Sequence, residues 1–296
     1  MRLGGTGLRV SSTFLDTSDV YPIGGNLGTV GRTEEIIGRW LAGRRHDFII
    51  ATKCFGAVSA RAWDQGLSRK HILDAIEGSL RRLGTDYVDL YQLHHPDPST
   101  PMDESLRALD DIVRAGKARY VGCSNYFAYQ IARALGRSEH LGLARFDCVQ
   151  PRYNLLFRQV ERELFPLCAE EGLGVIPYNP IAGGLLSGKH RREAGPMPGT
   201  RFTHPTAGAR YRDRYWRELE TVEALRPLAA EAGMSMTQMA VAWLLENPVV
   251  TAPIVGASRP EQLDDALAAV DKGLDESLQA RLDELTREYR WGDDIR

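Results

Sequence analysis

From Thr13 onward, short apolar runs of β type alternate with capped, amphipathic helical stretches across short links. Strand then helix, repeated, restricts the chain to parallel strands joined by right-handed crossovers. The strand-like runs are Thr13 to Asp16, Phe48 to Lys53, Tyr87 to His94, Arg119 to Ser124, Phe146 to Gln150, Leu173 to Tyr178 and Val249 to Val255. Between them lie helical stretches with readable ends. One is expected after Thr33 as N-cap, with Glu34 and Glu35 in its first turn and Gly43 at its end. A second runs from Ser68 to Gly84 with Ile72, Leu73, Ile76, Leu80 and Leu83 on one face. A third is opened by Thr100 and Pro101 and closed by Gly116. Others pass through Ile131 and Leu135, then span Val160 to Glu171, Leu219 to Ala232, Ser235 to Leu245, Pro260 to Val270 and Leu274 to Tyr289.

At 296 residues the expected architecture is α/β, a (β/α)8 barrel forming a single domain over residues 1–296. Seven strand-like runs are one short of eight. Met1 to Ser12 reads as a hairpin turning at its glycines, and it leads straight into the Asp16 strand. A first strand and helix are therefore missing from the rhythm near Ser12 and Thr13, where a physical gap in the chain is expected. Residues 181 to 215, rich in Gly, Pro and Arg, are too long for a silent connection and read as a functional loop.

A net charge of -2 provides no general attraction to nucleic acid or anionic membrane, so a small molecule is the expected partner. No apolar run reaches the roughly 20 residues of a membrane span, and the opening MRLGGTGLRV lacks a signal-peptide core. A cytoplasmic location is expected. Cys54, Cys123, Cys148 and Cys168 lack zinc or disulfide spacing and read as reduced, buried thiols.

Active sites of parallel barrels lie where the C-terminal ends of the strands meet. The residues closing the strands are Asp16, Lys53, His94, Ser124 with Asn125, Gln150, Tyr178 with Asn179, and Gly256 leading to Ser258. Nearly all are polar or ionisable, and their convergence is the signal. Taken singly, each has a plainer reading. Asp16 and Lys53 can form a structural bridge, and His94-His95-Pro96-Asp97 can be a turn or half of a metal site with no matching ligand set. Tyr178 can be a packed aromatic before a turn, while Asn125 and Gln150 can cap neighbouring strands.

Together, Asp16, Tyr21, Lys53 and His94 suit a proton-donating phenol with its tuners. A free phenol titrates near pH ~10, and a neighbouring cation lowers that value. Lys53 is the cation, Asp16 holds it, and His94 shares the carbonyl oxygen that Tyr21 protonates. Ser124, Asn125 and Gln150 suit a carboxamide, and Tyr178 offers a ring for stacking. Ala182-Gly183-Gly184 with Lys189, and Gly256 to Pro260 at the start of a helix, suit phosphates.

The blocks FLDTSDVY, IIATK, DLYQLHHPD, VGCSN, VQPRYN, IPYNPIAGGLLSGK and PIVGASRPEQL resemble those of the aldo-keto reductase family, in order, over nearly the whole chain. The resemblance implies an NADP-dependent oxidoreductase that reduces an aldehyde or ketone without a metal, using NADPH. It implies Tyr21 as general acid, Lys53 and Asp16 as its tuning pair, and His94 as the carbonyl-orienting residue. Ser124, Asn125 and Gln150 would take the nicotinamide amide, with Tyr178 under the ring. Asn179, Pro180, Ile181, Gly183, Lys189 and Arg201 would follow the pyrophosphate, and Gly256, Ser258, Arg259, Gln262 and Asp265 would take the adenosine 2′-phosphate end. Two positions depart from the usual pattern: Asp265-Ala266 replaces a Glu-Asn pair, and Asn179 replaces a serine. The family also includes potassium-channel β subunits, so a non-catalytic, NADPH-binding regulatory subunit is the second reading. Nucleic-acid binding through the cluster from Arg201 to Arg217 is a third, disfavoured by the balanced charge.

Overall fold

The computed structural model describes residues 1–10 and 13–291. They pack as two compact units, residues 1–150 with 167–175, and residues 151–166 with 176–291.

The first unit holds a six-stranded, all-parallel sheet in the order β1 to β6. Its strands are β1 (Phe14–Asp16), β2 (Ile49–Cys54), β3 (Val88–Leu93), β4 (Ala118–Ser124), β5 (Cys148–Gln150) and β6 (Gly174–Val175). Sequence neighbours are sheet neighbours throughout, as repeated crossovers require. The register sets Asp16 beside Ala51, Lys53 beside Gln92, and Ser124 beside Gln150. Strand β2 is buried almost end to end, the pattern of a parallel strand covered on both faces, and Lys53 stands inside that run.

Helices α1 (Arg32–Leu41), α2 (Arg69–Leu83), α3 (Met102–Arg114) and α4 (Ala128–Leu141) follow β1 to β4. Ser68 caps α2 as expected, accepting from the His71 amide, and Gly84 ends it in the left-handed region. Two expected caps are corrected. Helix α1 begins from Gly31 at φ 78°, so Thr33 falls inside it, and the Thr33 amide donates to the Tyr21 carbonyl at 3.3 Å. Helix α3 has Pro101 at its cap position, because the Thr100 hydroxyl is taken by Asp97 Oδ2 at 2.8 Å.

The hairpin at the start is present, with Leu3 N–H donating to Leu8 O at 2.8 Å and Val10 N–H to Met1 O at 2.9 Å. It seats on the turn before β6, where Gly5 N–H meets Gly172 O at 2.7 Å and Leu3 is fully buried. The break expected between Ser12 and Thr13 lies outside the described residues at its Ser12 side. Among the described residues β1 is an edge strand of the sheet. All four cysteines are free and buried.

Helix α5 (Leu164–Glu171) follows β5 in the sequence. The second unit contains α6 (Gly208–Tyr215), α7 (Leu219–Glu231), α8 (Met236–Leu245), α9 (Asp264–Ala268) and α10 (Glu276–Thr286). The expected strand Val249 to Val255 is absent as a ladder; Ile254 makes one isolated parallel bridge with Tyr178, which also bridges Arg152. Pro253, beside that bridge, has no N–H to extend it. Residues 181 to 215 are not one open loop, since they include the 3-10 turns Ala182–Ser187 and Arg201–Thr203 as well as α6. The helix expected over Pro260 to Val270 is broken into a 3-10 turn (Pro260–Gln262), α9 and another turn (Ala269–Asp271), so no long helix dipole faces an anion there. No helix among the described residues is long and apolar enough to cross a membrane.

Gly38 sits in the middle of α1, where alanine ordinarily favours the helix by up to about 1 kcal/mol. A Cβ there would lie 2.3 Å from Arg82 O and 2.8 Å from Leu83 C, both backbone atoms of α2's last turn. The clash outweighs the propensity. Gly38→Ala is expected to destabilise the protein by about 1–3 kcal/mol, read as a lower urea midpoint.

Candidate active site

The centre of the first unit's site is an ammonium with no access to water. Lys53 is fully buried, and its Nζ donates to Asp16 Oδ2 at 2.5 Å and to the Thr17 carbonyl at 2.8 Å. Burial alone would lower its pKa, yet the Asp16 carboxylate, with Tyr21 and Asp19, raises it above the ordinary lysine value. Lys53 is therefore a cation at every ordinary pH. Asp16 is itself fixed on its other oxygen, which accepts from Gln150 Nε2 at 2.9 Å and Gln92 Nε2 at 3.3 Å.

Tyr21 stands in the turn after β1, its N–H donating to Ser18 O at 3.1 Å. The Lys53 ammonium is 5.3 Å from the centre of the Tyr21 ring. The His94 ring meets that same ring edge-on at 5.9 Å. His94 follows β3 and is held by its backbone: its N–H donates to Cys54 O at 3.0 Å and its carbonyl accepts from Asn125 Nδ2 at 2.9 Å. Burial, then Lys53 and His95, push its pKa down to about 2, so the imidazole is neutral. All four residues expected to act on a carbonyl are brought together in this unit.

Of the three expected carboxamide contacts, Ser124 donates to Gln150 O at 2.7 Å, and Asn125, at φ 63°, reaches Ser124 Oγ at 3.0 Å. Gln150 differs from expectation in having one amide N–H committed to Asp16. Gln92, Ser18 and Asp19 were not among the sequence candidates. Gln92 stands out only in the folded sheet, where it is fully buried beside Lys53 in register and needs a polar partner.

The second unit places the other candidates. Tyr178 N–H donates to Pro151 O at 2.9 Å. Asn179, at φ 66°, uses its amide twice: Nδ2 donates to the Tyr215 hydroxyl at 2.7 Å and Oδ1 accepts from Gly183 N–H at 2.7 Å. Pro180 is buried, and the Ile181 carbonyl accepts from Gly184 N–H at 2.8 Å. Gly183, at φ 70°, is a glycine by necessity, as a Cβ would lie 2.7 Å from the Tyr211 ring. Gly256, Ser258, Arg259 and Gln262 are exposed, with Gln262 Oε1 accepting from Ser258 N–H at 2.9 Å, and Asp265 lies in the first turn of α9.

Three cations gather here. Lys189 is held below the usual ammonium range by desolvation and then by Arg259 and Arg201. None of the three is in an ion pair among the described residues, and Arg201 instead donates to the Tyr211 hydroxyl at 2.8 Å. An ammonium depressed by two neighbouring guanidinium groups, with none of the three paired to a carboxylate among the described residues, fits a polyphosphate ligand.

The aldo/keto reductase family model matches residues 6–287. The chain belongs to that family. It is 38% identical over 262 residues to a protein of Arabidopsis thaliana named as a probable voltage-gated potassium channel subunit beta, covering 87% of this chain and 77% of that one. It is 37% identical over 279 residues to the uncharacterized oxidoreductase YrpG of Bacillus subtilis, covering 92% and 82%. An aldo-keto reductase of Fusarium vanettenii is 34% identical over 295 residues, covering 91% and 76%. As an oxidoreductase of this family the chain carries the buried lysine, its carboxylate and the adjacent phenol in one constellation.

Asp16→Asn leaves the Lys53 ammonium buried without a counter-charge, which costs about 3–5 kcal/mol. The folded pKa of Lys53 is raised, so its contribution is fully present below the unfolded value of 10.5 and fades as pH rises through the higher folded value. Urea melts of wild type and Asp16→Asn are expected to differ by that amount at pH 7 and to approach one another at strongly alkaline pH.

Proposed function

We propose that the chain is an NADPH-dependent reductase that converts an aldehyde or ketone to an alcohol, with Tyr21 as the proton donor. The observation that carries this reading is the fully buried Lys53, held as a cation by Asp16 and lying 5.3 Å from the Tyr21 ring. A fixed positive charge stabilises the phenolate and so eases release of the phenolic proton. His94, neutral and edge-on to Tyr21, is placed to donate a hydrogen bond to the same carbonyl oxygen and to orient it. When bound, the nicotinamide cofactor supplies a hydride to the carbonyl carbon. Tyr21 then delivers its proton to the oxygen, and a proton from solvent restores the phenol.

Ser124 and Asn125, with the uncommitted polar atoms of Gln150, are assigned to the cofactor's carboxamide, and Tyr178 to its ring. Lys189 and Arg201 are assigned to the phosphates. Ser258, Arg259, Gln262 and Asp265 are assigned to the adenosine end, where a 2′-phosphate favours NADPH over NADH. A single (β/α)8 barrel and a cytoplasmic location belong to the same proposal and rest on the family.

The names of the plant relatives favour a second reading, a cofactor-binding regulatory subunit. NADPH oxidation against a panel of aldehydes and ketones separates the two. Turnover with any of them supports the reductase, while NADPH binding with no turnover on the whole panel supports the regulatory subunit. Tyr21→Phe is expected to reduce turnover about a hundredfold or more while leaving the NADPH dissociation constant within a few-fold of wild type; ordinary turnover in that variant overturns the mechanism. Arg259→Ala is expected to weaken NADPH about tenfold, one charge-assisted contact, with little effect on NADH, read by fluorescence titration.

A further inference from the structure

Ser18 and Asp19, between Asp16 and Tyr21, are buried completely, yet the proton-transfer scheme does not use them. The Ser18 hydroxyl has three neighbours: Asp19 Oδ1 at 3.1 Å, His94 Nδ1 at 3.2 Å and the Lys53 carbonyl at 3.4 Å. The Lys53 carbonyl already accepts from Asp19 N–H at 3.1 Å. A hydroxyl has one proton to give and two lone pairs to receive with. If it donates to Nδ1, the His94 proton is left on Nε2; if it donates to Asp19 or the Lys53 carbonyl, a lone pair is left to accept from an Nδ1–H.

We propose that Ser18 is a positioning residue for His94: it receives a hydrogen bond from the carboxylic acid of Asp19 and passes one to Nδ1, leaving the imidazole proton on Nε2. This rests on the carbonyl-reductase reading, because a proton on Nε2 is what lets a neutral His94 donate to a carbonyl oxygen while Nδ1 is occupied. The opposite polarity, Nδ1–H donating to Ser18 and Ser18 donating to an ionised Asp19, would present Nε2 as a lone pair and repel that oxygen.

The surroundings of Asp19 favour the protonated acid. Its Oδ2 is buried with no hydrogen-bond partner, which an ionised carboxylate tolerates poorly. Glu34, on α1 and also fully buried, is a like charge that Arg82 of α2 engages at 2.7 Å through Oε2. Cys54 from β2 and Tyr91 from β3 face Asp19 as neutral groups, while the Lys53 cation on β2 opposes by favouring the ionised form. Desolvation first, and Glu34 second, raise the Asp19 pKa to about 8, with Ser18, Arg82 and the Val20 backbone opposing. Near neutral pH the acid form therefore starts a one-way chain from Asp19 through Ser18 to His94. Above about pH 8 its ionisation reverses the chain.

Nitrogen-15 NMR of histidine-labelled protein, without substrate or cofactor, reads the tautomer directly, with His94→Gln to assign the signal. Wild type is expected to show Nε2–H at pH 6 and a shift toward Nδ1–H as pH rises through about 8. Asp19→Asn, which cannot ionise, should hold Nε2–H throughout, and Ser18→Ala should remove the pH coupling. Matching circular dichroism and melting curves show that each variant has folded. In turnover, Ser18→Ala should lower kcat about tenfold, the worth of one hydrogen bond, with KM little changed. An Nδ1–H tautomer at pH 6, or a pH-dependent tautomer that survives in both variants, overturns the proposal. Because the tautomer is read without turnover, its expected behaviour in a protein that reduces no carbonyl would uphold the relay and refute only the reductase reading.

Discussion

A single buried ion pair, Lys53 with Asp16, governs the arrangement of the first unit's site. An isolated ammonium in a dry interior would be prohibitive, so the fold must deliver a carboxylate to it and then satisfy that carboxylate's remaining lone pairs. It does so with four strands: Asp16 from β1, Lys53 from β2, Gln92 from β3 and Gln150 from β5. Because side chains alternate faces along a strand, a one-residue slip in any of them would turn its contributor away. The electrostatics of the site and the register of the sheet are therefore one constraint. Tyr21 and His94 then need only short turns beyond those strand ends to meet the ammonium.

That constraint explains what could be read from residues alone. Strand ends closing in Asp16, Lys53, His94, Ser124 and Gln150 stand out because polar groups at the end of apolar runs demand partners, and the sheet does bring them together. Helix α2 was legible at both ends, since Ser68 and Gly84 act through local backbone geometry. Thr33 and Thr100 misled for a physical reason: a cap residue is defined by which backbone group its hydroxyl finds, and competing partners such as Asp97 are set by tertiary placement.

The second half was less legible. The run Val249 to Val255 has strand composition, yet it forms one bridge with Tyr178, as ladder pairing depends on a neighbour's position and not on the run itself. Pro260 to Val270 has a helix-like pattern that breaks into short turns. Ser18 and Gln92 were overlooked because each reads as an ordinary small or strand residue until a titratable partner is found against it.

Lys189, Arg201 and Arg259 carry a consequence of another kind. Like charges gathered without a carboxylate oppose the compact arrangement of the segments that bear them, and that opposition is relieved when a polyanion is held among them. Under the proposed cofactor reading, a polyphosphate held there would stabilise residues 182 to 215 by mass action as well as take part in the reaction. Its grip would loosen as ionic strength rises, because the exposed part of that attraction is screened over about 10 Å at 0.1 M salt. On that reading, added salt would weaken the ligand's hold on this segment and with it the stabilisation the ligand provides.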